Sequence, residues 1–524
     1  MNHPLLTAVF ALSAVLSQSA VASPLMVVPA NQTNIQLEKA GSPESAARHY
    51  LMSSSSALGL RSDLSDLITE SVTETPAGFS VRFQQMSNGL PVENANVVVT
   101  LSKSFQVLTY VNDYARSANG FGLEKFSAQN FQLSEDNALE RAYQELKLRS
   151  SPSAQTVQKK MLVEAGSLRS VYQIQLAAPA DGFYAWEIIM DAVDGRIYKS
   201  RDLAVHSRPA SRGVVTTGVF DPNPTIRSGK VSQGLDANNA DSAFYSSMMT
   251  QVSLDNLTQK NGKYQLAGPN VVISDSEAPK NPDCSFSSDS LKLKRSDACF
   301  DAVNVYYFID KTLKYMNGTL GFNVHPLKYQ GGIKADPHGL NGEDNSHYNP
   351  MSDELAFGEG GIDDAQDHDV IIHELGHAIH NWVTKGHLSQ VEGLSEGSGD
   401  YWAASYDRQF MKPDHIAYNW TFSFDGHNEF WPGRVVNVTK KYPAGAQGEI
   451  HDAGQLWATT CIEVYDAIGK EKADKLFWTA LSSLNESSSQ ADAAKAYIVA
   501  AQQLYPSDLQ TVISKFKARG YPVH

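Results

Sequence analysis

At 524 residues the chain is too long for one ordinary domain, and its 42% hydrophobic and 10% aromatic content excludes a mostly disordered or fibrous protein. Lys and Arg number 43 against 57 Asp and Glu, a net charge of −14 that argues against binding nucleic acid by phosphate neutralisation. Residues 1–212 are nearly neutral, with 18 basic and 19 acidic side chains, so almost all of the charge lies after 212, as do 12 of the 15 histidines. In chain order, the apolar run Leu5–Ala22 ends in the small-x-small triplet Ala20-Val21-Ala22, the pattern of a secretory signal peptide (residues 1–22) cut before Ser23. Residues 60–115 read as strands, with Asn88-Gly89 as a hairpin turn. Residues 133–149 read as one amphipathic helix, and 161–200 as further strands turning at Asp194-Gly195. Residues 206–212, His-Ser-Arg-Pro-Ala-Ser-Arg, form an exposed, cleavable linker. Beyond it, 213–300 mixes strand patterns with turns, and helices are expected over 365–383, 392–408, 451–468 and 488–504. Cys284 and Cys299 lie in a polar stretch where an oxidising compartment would let them pair, whereas Cys461 falls in a helical pattern as a buried thiol.

The chemistry concentrates in His373-Glu374-Leu375-Gly376-His377. Four residues apart on a helix, the two imidazoles face one way and can share a metal, with Glu374 beside them to handle a water proton. Nineteen residues after His377 comes Glu396, followed one helical turn later by Asp400. A hydrolytic zinc site needs three protein ligands and an open position; His373, His377 and Glu396 supply the three. Asp400 shares the face of Glu396 and can accept the outer N–H of a ligand histidine, most naturally His373. Glu392 competes as third ligand but has no acid four residues on. His451, opening the helix expected at 451–468, is a candidate donor to the oxyanion that forms on a scissile carbonyl.

At these residues the chain resembles the thermolysin and fungalysin families of zinc metalloendopeptidases. The resemblance extends to Ala302–Tyr307, Phe357–Gly360, Val219–Pro224 and the set His451, Gly454, Trp457 and Ala458. Residues 23–115 resemble the fungalysin/thermolysin propeptide module around 60–115, and 116–205 resemble a PepSY module around 125–200. The resemblance implies an α+β protein: small α+β prosequence modules, then a two-lobed catalytic domain over 213–524 with a β-rich N-terminal and a helical C-terminal lobe. It implies that Zn2+ is held by His373, His377 and Glu396, that Glu374 is the general base, and that His451 stabilises the oxyanion. It also implies that Arg434 holds a substrate carbonyl and that Asn345 bonds substrate backbone. Two departures stand out. The tyrosine those enzymes carry between the second histidine and the glutamate ligand is missing from 378–395, leaving His387 to substitute or His451 to act with less help. Ala446 stands where an aspartate would orient His451. Asp369 and Asp407 fall where the thermolysin family places Ca2+ ligands, within a chain whose stretch 335–384 holds eleven acids and no Lys or Arg; an acid at Asp369 also suits a helix N-terminus.

The leading expectation is therefore a secreted zinc endopeptidase, extracellular or periplasmic if the host is Gram-negative. It would be made as a precursor whose own propeptide chaperones and inhibits it, act as a monomer on protein or peptide substrates, and be free of the membrane once the signal is cut. A zinc exopeptidase on the same site is the alternative within enzymes, and a binding or inhibitory protein with a decayed site the alternative outside them; the intact Glu374 argues against decay.

Overall fold

The computed structural model describes residues 24–28, 41–116, 131–148, 151–152, 154–164, 167–178, 183–202, 212–231, 239–428 and 431–524. The expected signal peptide and all of the expected linker except Arg212 lie outside the described residues. The protein is mixed α+β, with a β-rich N-terminal half and a helical C-terminal half.

Among the described residues up to 202, nine strands join one sheet. Strands Leu67–Thr75, Gly78–Ser87, Leu90–Ser102 and Val107–Asn112 pair antiparallel in sequence order. Asn88 and Gly89 form the two-residue turn between Ser87 and Leu90, both at positive φ (52° and 77°), as a primed hairpin turn demands. A second antiparallel meander, Ala154–Glu164 through Ile197–Asp202, attaches through a single parallel pairing of Val92 with Met161. The amphipathic helix is shorter than its sequence pattern, Glu135–Leu146, and packs Ala138 and Ala142 against Tyr172, Ile174 and Ile188 of that meander.

After residue 212, strands Arg212–Val219, Thr250–Lys260, Lys263–Gln265 and Ser285–Phe286 make one sheet. A second runs in the order Val271–Ile273, Ile333–Asp336, Glu354–Phe357, Ser346–Asn349, with only the last pairing antiparallel. The Cys284–Cys299 disulfide, with an S–S distance of 2.07 Å, precedes the helix Phe300–Lys314, and Cys461 is a buried free thiol. The helix expected from 365 begins at His368, because Asp364–Gln366 is a separate 3-10 turn and the Asp367 carboxylate caps Asp369 N–H at 3.1 Å. That helix, His368–Val383, is buried along nearly its whole length, and packs on the helix Leu394–Asp407, which in turn packs on Ile450–Ile468. The close approach depends on glycine. A Cβ on Gly399 would meet His373 Nδ1 at 2.5 Å, and one on Gly397 would meet the Gly454 carbonyl oxygen at 2.2 Å. No helix among the described residues is long and apolar enough to cross a membrane.

The N-terminal sheet lies against the helical half. Leu25, Val98 and Val111 join the same hydrophobic core as the helices of the C-terminal half. Around them the contact is polar: Arg82 donates to the Leu484 carbonyl at 2.8 Å, and Asn485 Nδ2 to Asp113 at 2.6 Å and Asn96 at 3.2 Å. His387 is held between Glu70 (3.1 Å) and Glu486 (2.8 Å).

Candidate active site

The His368–Val383 helix carries His373 and His377 one turn apart, and the Leu394–Asp407 helix carries Glu396 opposite them. His373 Nε2 and His377 Nε2 are 3.1 Å apart; Glu396 reaches within 3.4 Å of the first and 3.6 Å of the second. Ligand atoms arranged tetrahedrally about zinc at ~2.0–2.1 Å stand ~3.3 Å from one another, so the donor set fits a zinc ion in spacing as well as in type. Burial and Arg434 oppose protonation of His373, but Asp400 and Glu396 outweigh them and raise it to about 9. Burial works against the Glu396 carboxylate as well, yet His377, His373 and Arg434 hold it well below the usual range. A pocket that favours positive charge so firmly favours a bound cation.

The outer ring nitrogens lie beside fixed oxygens. His373 Nδ1 lies 3.1 Å from Asp400 Oδ1, close but without hydrogen-bond alignment. His377 Nδ1 meets Ser395 Oγ at 2.8 Å, a partner that sequence reasoning misses, because a serine one residue before Glu396 carries no distinguishing pattern. Such partners fix the tautomer of a ligand histidine. Glu392 is turned away: it accepts from Gln490 N–H at 3.0 Å and lies 3.3 Å from the Tyr442 hydroxyl.

These residues line a cavity of about 880 Å³ whose wall includes Glu374, His451, Arg434, Asn345, Tyr348 and His387, and whose roof is the N-terminal sheet (Glu93, Asn94, Asn96, Lys160). Arg434 stacks on Phe422 with its guanidinium 4.5 Å from the ring centre and donates to Asp400 at 3.0 Å. Asn345 Oδ1 accepts the N–H of Ser346 at 3.0 Å, at the start of the edge strand Ser346–Asn349. His451 Nε2 lies 3.2 Å from Glu396, and its Nδ1 is 2.5 Å from Glu449 Oε1. Glu449 is the helix N-cap, accepting from the His451 and Asp452 N–H groups through its other oxygen. It thus supplies, from two residues upstream, the partner that Ala446 cannot. The signal was present as an acid immediately before a helix start, but capping alone accounts for such an acid. His387, engaged by Glu70 and Glu486, has both ring nitrogens occupied at the roof of the cavity.

Asp369 and Asp407 do come together, but with His368 between them: its Nε2 is 2.5 Å from Asp407 and 3.6 Å from Asp369, and all three are buried. Asp369 Oδ2 already accepts from Ser423 N–H at 2.8 Å and Ser423 Oγ at 3.0 Å. Asp369 Oδ1 and Asp407 Oδ2 are buried without a hydrogen-bond partner among the described residues, but calcium takes six to eight oxygen ligands, and an imidazole in the middle of the set suits it poorly.

Residues 66–114 match the family model described as the Fungalysin/Thermolysin Propeptide Motif. The chain is also similar to a protein named bacillolysin from Bacillus amyloliquefaciens, 22% identical over 462 residues that cover 84% of this chain and 82% of that one. The propeptide motif at one end and an alignment that runs through the HExxH helix to most of the remaining chain together support a thermolysin-like metalloprotease precursor.

Proposed function

We propose that the protein is the precursor of a secreted zinc endopeptidase, with His373, His377 and Glu396 as metal ligands. The observation that carries the proposal is the convergence of those three donors, at zinc-like spacing, beside Glu374 on the wall of a cavity of about 880 Å³. Zinc, when bound, supplies a Lewis acid that polarises the scissile carbonyl and makes water a better nucleophile. Glu374 takes the proton from the attacking water and returns it to the leaving amine. His451, anchored by Glu449, donates from Nε2 to the oxygen that gains charge. Arg434 holds the Glu396–Asp400 face in place and offers its remaining N–H groups to a substrate carbonyl. Asp400 and Ser395 keep the imidazoles turned toward the metal. The N-terminal sheet roofs the cavity, which supports its reading as an inhibitory propeptide.

The test is Glu374→Gln in the zinc-loaded protein. Zinc content should remain at one per chain while peptide hydrolysis falls by roughly 10³-fold or more, the range general-base loss produces. Activity within tenfold of the parent would refute the assigned base; loss of zinc would refute the assigned ligand set.

A further inference from the structure

We propose that Asp344, Asp364 and Asp425 form a calcium site at the wall of the cleft, separate from the His368 group. The three come from distant parts of the chain: the loop before the edge strand Ser346–Asn349, the 3-10 turn leading into the His373 helix, and the loop after Trp420–Thr421. Their carboxylate oxygens nevertheless lie within 4.8 Å of one another.

Three like charges at this separation need a reason. Asp364 and Asp425 are only 3% and 8% exposed. Some buried carboxylates nearby are amply satisfied, whereas Asp369 Oδ1 and Asp407 Oδ2 in the His368 group are buried without a hydrogen-bond partner among the described residues. Asp367, in the same region, accepts from Asn223 at 2.8 Å and from the N–H groups of Asp369, Phe424 and Asp425 at 3.0–3.1 Å. Asp353 accepts from Leu327 N–H, Lys328 N–H, Tyr348 and Trp382. Asp364 has one side-chain donor among the described residues, the Ser346 hydroxyl. The Asp425 carboxylate, more than nine-tenths buried, is aimed into the group with no hydrogen-bond donor among the described residues. Burial raises both groups well above the ordinary carboxylate range, neighbouring carboxylates raise them further, and no cationic side chain is among the influences on them. A buried anion left unpaired is strongly unfavourable, so the arrangement calls for a cation from outside.

The donor set specifies its class. All three ligands are carboxylates, without the nitrogen or sulfur that would favour zinc or copper. Asp344 is exposed, so the site opens to solvent on one side, where waters can complete the six to eight oxygens calcium takes. The ion would join the Asn345–Ser346 segment to the start of the His373 helix and to the Asp425 loop. It would thereby stiffen the cleft wall without touching the zinc ligands.

The experiment uses the full chain carrying Glu374→Gln, to prevent self-cleavage, saturated with zinc. Calcium is titrated by calorimetry to about 10 mM, beyond the 10⁻⁴–10⁻³ M range of extracellular calcium modules, and melting is recorded with and without it. We expect one calcium per chain and a higher melting temperature with the ion. Asp425→Asn and Asp344→Asn should each weaken binding tenfold or more and lose the melting shift, while melting above the parent in EDTA because repulsion is relieved. Asp369→Asn should retain the calcium. Should Asp425→Asn fail to fold, the exposed Asp344→Asn decides alone. No binding by the parent, binding unchanged in the Asp344 and Asp425 variants, or loss of binding in Asp369→Asn alone would each overturn the proposal.

Discussion

If the N-terminal sheet inhibits by docking over the cleft, Arg82 is the side chain whose loss should show it. Arg82 is 2% exposed, donates from Nη2 to the Leu484 carbonyl at 2.8 Å and lies among Glu70, Glu486 and Asp113. Burial pulls its pKa down, and those carboxylates hold it up. In Arg82→Met the aliphatic stem stays and the charge goes. A hydrogen bond from a charged donor contributes about 1.5–3 kcal/mol, and breaking a buried charge pair costs about 3–5 kcal/mol. These overlap rather than add, His387 remains as a second cation, and Glu70 is about a third exposed and so screened. About 3 kcal/mol is a fair net figure, equivalent to roughly 100-fold in affinity. The substitution lies wholly in the N-terminal half, so the half that carries the HExxH helix is unchanged. The assay is the inhibition constant of precursor cut in the 206–212 linker, from recovery of peptide hydrolysis on dilution, with a thermal melt to show that Arg82→Met folds. An inhibition constant within threefold of the parent, in a folded variant, would refute the idea that the buried Arg82 charge holds the prosegment on the cleft.

Docking should also depend on pH. The groups that face one another are His387, Glu70, Glu486, Arg82 and Asp113. Burial and Arg82 work against the His387 imidazolium, but Glu486 and Glu70 outweigh them and raise it; Glu70 and Glu486 are lowered, with His387 and Arg82 outweighing their burial. The histidine contribution is therefore complete below about 6.5 and lost as pH rises through its raised value, while the carboxylate contributions are complete above about 4.5 and lost as pH falls through their lowered values. The cut prosegment should accordingly bind more weakly at pH 9 than at pH 6, and His387→Gln should remove most of that difference; an equal loss in both proteins would exclude His387 as the cause. At the other end of the cleft, Glu449→Ala should lower kcat about 10–100-fold with little change in KM, and Glu449→Asp, which can still cap the helix, should recover its stability more than its kcat. A kcat unchanged in Glu449→Ala would show that His451 needs no anchor.

How much of this was legible in the sequence follows from the range of each interaction. His373, His377 and Asp400 could be read because helical spacing alone fixes which side chains share a face. Asp369 and Asp407 were paired only by the family resemblance, which could not see His368 between them, because its ring direction depends on packing against Phe308 and Tyr406. Asn88-Gly89 was legible because a two-residue turn is decided by its own φ angles. Ser395 and Glu449 were not, since a serine or a capping glutamate is ordinary until a histidine is seen against it. The polar lock between the halves was unreadable for a stronger reason: Arg82 and Leu484 are 402 residues apart, and His387 and Glu70 are 317 apart.

That lock gives the charge asymmetry a physical consequence. An acidic C-terminal half would be expected to attract a basic N-terminal half, yet residues 1–212 are nearly neutral. Lys160, their cation over the cleft, is matched from within by Glu93 at 2.8 Å, and Lys199 pairs with the cleft-lining Glu187 at 3.4 Å. General attraction between the two halves is therefore weak. Their association rests on the shared apolar core and on a few polar contacts, the buried Arg82 with Leu484 and Asn485 with Asp113 among them, together with the partly exposed pair His387 with Glu70. Buried contacts are screened little by salt, whereas attraction between exposed charges fades beyond about 8–10 Å at physiological ionic strength. Raising salt from low to physiological concentration should then leave prosegment affinity nearly constant, although the C-terminal half carries almost the whole net charge, while a single change at Arg82 or a shift of pH through the His387 transition should move it by an order of magnitude or more.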